Sequence, residues 1–236
     1  MSAEPKKRTT GIITNNGEKI ENMMDEEKEY YSLVKRAFDR LAPFYDIVTS
    51  PISKERDEVV NFVKAGNGSR ILDVGAGTGK QAFAFAEKGH DVIGIDLSES
   101  MLKAAKKKNK YENAKFEVAD ATALPFESDS FDVSCASFVL HDMPLTIREK
   151  TVKEMVRVAK PQGVIVIIDY ALPENRVRSF FIYHLIKLYE GKYYLEFIKS
   201  DLEALLGKSG VEIREELSAL LGAGRIIKGI RMDNGA

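Results

Sequence analysis

The chain has 236 residues, with 35 Lys plus Arg against 36 Asp plus Glu, and 44% of it is hydrophobic. That is one ordinary α/β domain with small additions and a sizeable core, and its near-zero net charge argues against a nucleic-acid partner. A lone cysteine, Cys135, excludes an internal disulfide framework and a multi-thiol metal site and fits a reducing cytoplasm, the expected location; no apolar run is long enough for stable membrane insertion.

Residues 1–27 are polar, with Lys6-Lys7-Arg8 and Asn15-Asn16-Gly17, and read as a mobile tail or a loosely docked arm. Residues 28–66 read as an N-terminal helical lid. Leu33, Val34, Ala37, Phe38 and Leu41 share one helical face, Pro43 stops that helix, and Phe44-Tyr45-Asp46 turns towards a second helix from about Ile52 to Lys64. Gly66-Asn67-Gly68 then opens the main domain, residues 67–236.

In that domain strands and helices alternate, the pattern of a doubly wound, mostly parallel sheet. The strands fall at Arg70–Val74, Asp91–Ile95, Ala114–Ala119, Phe131–Ala136 and Gly163–Asp169. The helix beginning near Ser98 has Glu99 in its first turn and Lys106, Lys107 and Lys108 near its end, complementing the helix dipole. Another helix runs from Pro144 to Lys160-Pro161. After the fifth strand an aromatic-rich helical insertion interrupts the rhythm, with a cap at about 173–198 that includes Phe180, Phe181, Tyr183, Leu185, Leu188, Tyr189, Tyr193, Tyr194 and Phe197. It lines an apolar substrate pocket, glues a cap to the core, or forms a homodimer surface. Val211–Leu217 and Arg225–Arg231 close the sheet as a hairpin, which makes one strand of the seven antiparallel.

Chemistry concentrates at the carboxyl ends of these strands, where open α/β sheets bind ligands. Leu72-Asp73-Val74-Gly75-Ala76-Gly77-Thr78-Gly79-Lys80 is a strand, an acid and a glycine turn leading into a helix. A dinucleotide loop wants a third glycine where Lys80 stands, so the turn suits a ligand with a cationic amine near Asp73 and no pyrophosphate. Asp96 ends the second strand, where an acid accepts both hydroxyls of a ribose. Asp120 ends the third, where a carboxylate accepts from an adenine amino group. Ser137-Phe138-Val139-Leu140-His141-Asp142 follows the fourth. At that crevice mouth a neutral His141 could take a proton from a substrate hydroxyl or carbon acid, or serve as a packing contact; Asp142 is a weaker candidate, and His90 reads as a surface residue. A purely structural glycine turn is the plain alternative for Gly75, Gly77 and Gly79.

The ordered series Ala37-Phe38-Asp39, Ala42-Pro43-Phe44-Tyr45-Asp46, the glycine turn, Gly94-Ile95-Asp96-Leu97-Ser98-Glu99-Ser100-Met101-Leu102, Asp120-Ala121-Thr122-Ala123-Leu124-Pro125-Phe126 and Phe131-Asp132-Val133 resembles the class I S-adenosylmethionine-dependent methyltransferases. The likeness is to small-molecule members similar to the ubiquinone/menaquinone C-methyltransferases. It implies a Rossmann-like fold that binds S-adenosylmethionine and releases S-adenosylhomocysteine, a small, partly apolar acceptor, and no metal. It further implies that Asp73 supports the loop and the methionine amine, that Gly75, Ala76 and Gly77 pass beneath the cofactor, and that Asp96 takes the ribose. Leu97 and Met101 would flank the adenine, Asp120 and the Ala121 backbone would bind it, and Tyr45 would approach the methionine end. Ser137 joins that cofactor-binding set and His141 is the catalytic candidate. Quinone-type members usually carry an Arg-Asn pair where this chain has Leu140-His141-Asp142, which argues against a quinone acceptor. A nicotinamide oxidoreductase and a non-catalytic S-adenosylmethionine-binding regulator are the rival readings.

Overall fold

The computed structural model describes residues 15–49, 53–187 and 191–233. Strands β1 (Arg70–Val74), β2 (Asp91–Asp96), β3 (Ala114–Val118), β4 (Phe131–Ser137), β5 (Ala159–Tyr170), β6 (Val211–Ala219) and β7 (Gly224–Arg231) form one sheet. Its order is β3-β2-β1-β4-β5-β7-β6. The pairs from β3 across to β5 are parallel, whereas β7 runs antiparallel to both β5 and β6. The hairpin read from the sequence therefore inserts the single reversed strand between β5 and β6. Strand order changes direction between β1 and β4, which opens the ligand crevice of a doubly wound sheet at their carboxyl ends.

The central strands are buried on both faces because helices cover both. Alternation divides their side chains: Leu72, Val74, Ile165 and Ile167 pack on one side, and Ile71, Val133, Val166 and Ile168 on the other. Helices α1 (Asn15–Leu41), α2 (Tyr45–Val48) and α3 (Ser53–Val63) precede the sheet; α4 (Lys80–Glu87), α5 (Glu99–Lys108) and α6 (Leu145–Val158) connect its strands; α7 (Arg176–Lys187), α8 (Tyr194–Lys199) and α9 (Leu202–Lys208) follow β5.

Several boundaries differ from the sequence reading. Residues 1–14 of the expected tail lie outside the described residues, as do Leu188 and Tyr189, whereas Asn15 to Glu27 already belong to α1. That first part is polar, so it gives no apolar stripe to read. Further along, Glu27 accepts from Lys150 Nζ at 2.7 Å and Glu29 from Lys192 Nζ at 2.8 Å, docking the helix on α6 and the insertion. The α6 helix ends at Val158, before Lys160-Pro161, because a residue preceding proline is forced out of the helical region; Ala159 instead pairs with Phe131. His90, expected on the surface, is buried against Phe85, and burial lowers its pKa.

Candidate active site

The glycine turn lies at the end of β1, and its geometry explains its composition. Gly75 has φ +70°, and a Cβ there would come within 2.5 Å of Val139 Cγ2, so any side chain would close the gap between the β1 and β4 loops. Gly79, at φ +85°, caps α4. Between them the Gly77 amide donates to Asp96 Oδ2 at 2.8 Å, while the Ser98 amide donates to Asp96 Oδ1 at 2.8 Å. Asp96 thus ties the first loop to the second, and burial pushes its carboxyl above the ordinary range.

A cavity opens over these loops, with about 670 Å³ of empty space counted out to the solvent at its mouth. Tyr45, Gly75, Gly77, Asp96, Leu97, Met101, Asp120 and Ala121, all expected at the site, line it. An adjoining space of about 380 Å³ is lined by Asp73, Ala76 and Ser137 of that set, together with Arg56, Thr78, Lys80, Gln81 and again Tyr45 and Gly75. The eleven cofactor-binding candidates therefore divide between two neighbouring chambers that share Tyr45, Gly75 and Phe138.

Asp73 is almost wholly buried, and neither of its carboxylate oxygens has a well-formed hydrogen bond. Burial pushes its pKa up to about 7, against the pull of the Arg56 charge and the nearby Ala82 amide. A buried acid left in this state is stabilised by a cationic group placed beside it. Asp120 is better satisfied: Oδ2 accepts from Tyr31 Oη at 2.8 Å, and Oδ1 accepts from the Thr122 amide and hydroxyl, each at 2.8 Å.

The lid is stitched to the loops it covers. Thr78 Oγ1 donates to Asp46 Oδ1 at 2.6 Å, and Lys80 Nζ donates to the Asp46 carbonyl at 3.1 Å and to Thr49 Oγ1 at 3.2 Å. Lys108, from the end of α5, pairs with the other Asp46 oxygen. Burial acts to raise the Asp46 pKa, but its bonds to Lys108 and Thr78 prevail and hold the carboxyl below its usual range. Ser98 Oγ donates to Asp39 Oδ1 at 2.8 Å, a second clasp between α1 and the β2 loop. Lys80, where a dinucleotide loop would carry glycine, thus anchors the lid.

His141 occupies a different place from the one its position in the sequence suggests. It lies in a 3₁₀ turn, Leu140–Asp142, and is buried behind the cavity, with Nδ1 2.7 Å from Asp169 Oδ1 and its ring against Tyr170. It is Asp142, expected to be the weaker candidate, that lines the cavity beside Tyr30, Met143, Ile147 and Thr151. Its Oδ2 is 3.6 Å from His141 Nε2. A carboxylate–imidazole–carboxylate row therefore runs from the cavity wall into the core.

Arg148, which the sequence reading overlooked, fixes this turn. It is fully buried on α6, donates to the carbonyls of Leu140 at 3.1 Å and Met143 at 2.8 Å, reaches Ser200 Oγ at 3.0 Å, and stacks on Phe197. Phe138 adds strain beside it, holding φ +51° while its amide donates to the Ile168 carbonyl at 2.7 Å. Tyr30, Tyr31, Val34 and Phe38 of α1 were also missed as site residues; Tyr30, Val34 and Phe38 roof the cavity, and Tyr31 braces Asp120. Among the described residues none of Phe180–Lys187 or Gly191–Phe197 lines it: Tyr193, Tyr194 and Phe197 are buried in the core, so this part of the insertion glues the cap down.

The fold matches that of a solved S-adenosylmethionine-dependent methyltransferase from Aquifex aeolicus with TM-score 0.63 and 18% identity, over 84% of this chain and 98% of that one. Residues 72–167 match the family model described as a methyltransferase domain. It is 39% identical over 145 residues to a demethylmenaquinone methyltransferase of Renibacterium salmoninarum, covering 59% of this chain and 60% of that protein. Against a ubiquinone/menaquinone biosynthesis C-methyltransferase of Rickettsia massiliae the identity is 33% over 168 residues, with 64% of this chain and 66% of the relative covered. The chain thus spans less than two-thirds of the length of these curated relatives. Among solved structures, the complex between the Haloferax volcanii Trm112 methyltransferase activator and a putative methyltransferase matches with TM-score 0.68 and 18% identity, over 86% of this chain and 99% of that one.

Among the described residues no helix is long and apolar enough to cross a membrane, and no cluster of His, Cys, Asp and Glu could hold a metal ion.

Proposed function

We propose that the protein transfers the methyl group of S-adenosylmethionine to a small, partly apolar acceptor seated at the Asp142 end of the cavity. The observation that carries this reading is the unsatisfied, buried Asp73 in a chamber that shares Tyr45, Gly75 and Phe138 with the one bearing Asp96 and Asp120. An amine, a ribose and an adenine amino group would each meet a carboxylate in that order. When bound, S-adenosylmethionine supplies a methyl group activated by its sulfonium charge.

The residues then have chiefly to orient and enclose. Asp96 holds the ribose edge while already fixed by two backbone amides, so its geometry costs no reorganisation. Leu97 and Met101 supply apolar contact for the base, and Tyr31 keeps Asp120 in place to accept from its amino group. Tyr45, which borders both chambers, covers the junction between them and excludes water there. The remaining wall of Tyr30, Met143, Ile147 and Thr151 is apolar with two polar points. Thr151 Oγ1, buried without a partner, offers an acceptor a hydrogen bond.

Asp142 is the group placed to take a proton from an acceptor hydroxyl or acidic carbon, and His141, held by Asp169, is the residue that positions it. The test has two parts. Calorimetric titration with S-adenosylhomocysteine is expected to show binding that Asp96→Ala weakens. Methyl transfer from labelled S-adenosylmethionine to a panel of small, partly apolar acceptors is expected to fall in Asp142→Asn without a change in cofactor affinity. Tight cofactor binding with no transfer to any acceptor would support the non-catalytic regulator instead.

A further inference from the structure

Helix α7 buries one side and leaves the other bare. At about 100° per residue, Ile182, Ile186 and Tyr183 face the core, and Ile186 is 3% exposed. The opposite side is largely apolar: Val177 is 66%, Phe180 61%, Phe181 66% and Leu185 62% exposed, with an exposed His184 among them packed edge-on against Phe180. Cations border this stripe on both edges, with Arg176 and Lys187 along one and Arg178 along the other, and the helix contains no acid. The β6–β7 connection extends the same surface. Leu220 and Leu221 both hold positive φ, 51° and 55°, an uncommon conformation for leucine, and Leu221 stands 89% exposed. Arg178 donates to the Leu221 carbonyl, and Gly222 sits against Pro173 just ahead of α7, so the tip and the helix form one face.

We infer that this face is a membrane-docking surface that lays Phe180, Phe181, Leu185 and Leu221 into the interface of an anionic lipid bilayer. An apolar stripe with long cationic side chains on both edges matches such a surface: the stems cover apolar area while the charges reach lipid phosphates. The charge also weighs against a second copy of the chain as occupant. Two such helices brought together would set Arg176, Arg178 and Lys187 against their own counterparts, with no carboxylate on the helix to answer them. The inference is independent of the proposed methyl transfer, since none of these side chains lines either chamber.

The experiment is co-sedimentation of the full chain with phosphatidylcholine vesicles containing about one-quarter phosphatidylglycerol, against pure phosphatidylcholine. Partition into the anionic vesicles is expected to be at least tenfold stronger and to weaken with salt. Replacing both Phe180 and Phe181 with Ser is expected to reduce it more than tenfold, and Arg176→Gln about fivefold, with S-adenosylhomocysteine affinity unchanged as the control for folding. No partition into either vesicle would overturn the inference. So would equal binding to both, undiminished binding by the double-serine variant, or a concentration-dependent dimer that the same variant abolishes.

Discussion

The cofactor side and the acceptor side of this cavity are built in different ways. On the cofactor side the functional groups sit at strand ends and in the turns that follow, held largely by backbone: Asp96 by two amides, Asp120 by the Thr122 amide, and the turn itself by left-handed glycines. On the acceptor side the turn that carries Asp142 is held by buried side chains. Arg148 reaches across from α6 to fix the carbonyls of its turn, Asp169 receives the Leu140 and His141 amides as well as the imidazole, and α1 supplies the roof. A site made of local turns keeps its shape when its surroundings change. One held by buried side chains is re-formed by altering those few residues.

Substitutions sharpen the contrast, beginning with the largest effect. Asp142→Asn is expected to lower turnover about a hundredfold while changing cofactor affinity by less than about twofold. His141→Gln is expected to lower kcat about tenfold through the same turn, with the KM for the cofactor unchanged. Asp96→Ala works on the other side: losing a charged hydrogen-bond acceptor is expected to weaken S-adenosylhomocysteine binding more than tenfold, from about 1.5–3 kcal/mol. Calorimetry and steady-state kinetics on the three variants separate the two halves, and equal effects on binding and turnover in all of them would erase the distinction.

Acidity gives a test of intermediate size. The carboxyl of Asp73 titrates near 7 in the protein as it stands, and a cationic amine beside it favours the charged form. Binding below that pH therefore releases a proton, so cofactor affinity is expected to rise with pH, by at most about tenfold per unit, and to level above pH 7. Asp73→Asn is expected to flatten the profile. The sign for folding is opposite. A raised carboxylate pKa stabilises the fold fully below the unfolded value, and that contribution falls as pH rises towards 7. The smallest effect belongs to the lid. Lys80→Met removes partly exposed contacts to Asp46 and Thr49 and is expected to weaken cofactor binding about threefold.

The same division explains what was legible in the sequence. The positions of the strands, the reversed hairpin and the glycine turn with its strand-end acids follow from periodicity and turn chemistry, because glycine at positive φ and an acid at a strand end leave local signatures. The polar start of α1 leaves none, and neither do the contacts that make its aromatic residues a roof. His141 reads as the functional group because histidine stands out in a loop beside a crevice. Which of two adjacent residues faces the cavity depends on a 3₁₀ turn pinned by Arg148 from α6, and a residue in an amphipathic helix gives no sign that its guanidinium is buried. Phe180 and Phe181 show the same limit: aromatic residues at helical spacing suggest a packed face, and only the fold reveals that these two stand exposed while Ile186 takes the core side of α7.

The most direct measurement is a calorimetric titration of the full chain with S-adenosylhomocysteine and, separately, with a nicotinamide dinucleotide. The account predicts saturable binding of the first that Asp96→Ala weakens more than tenfold, and none of the second; tight nicotinamide binding, or S-adenosylhomocysteine affinity untouched by Asp96→Ala, would contradict it.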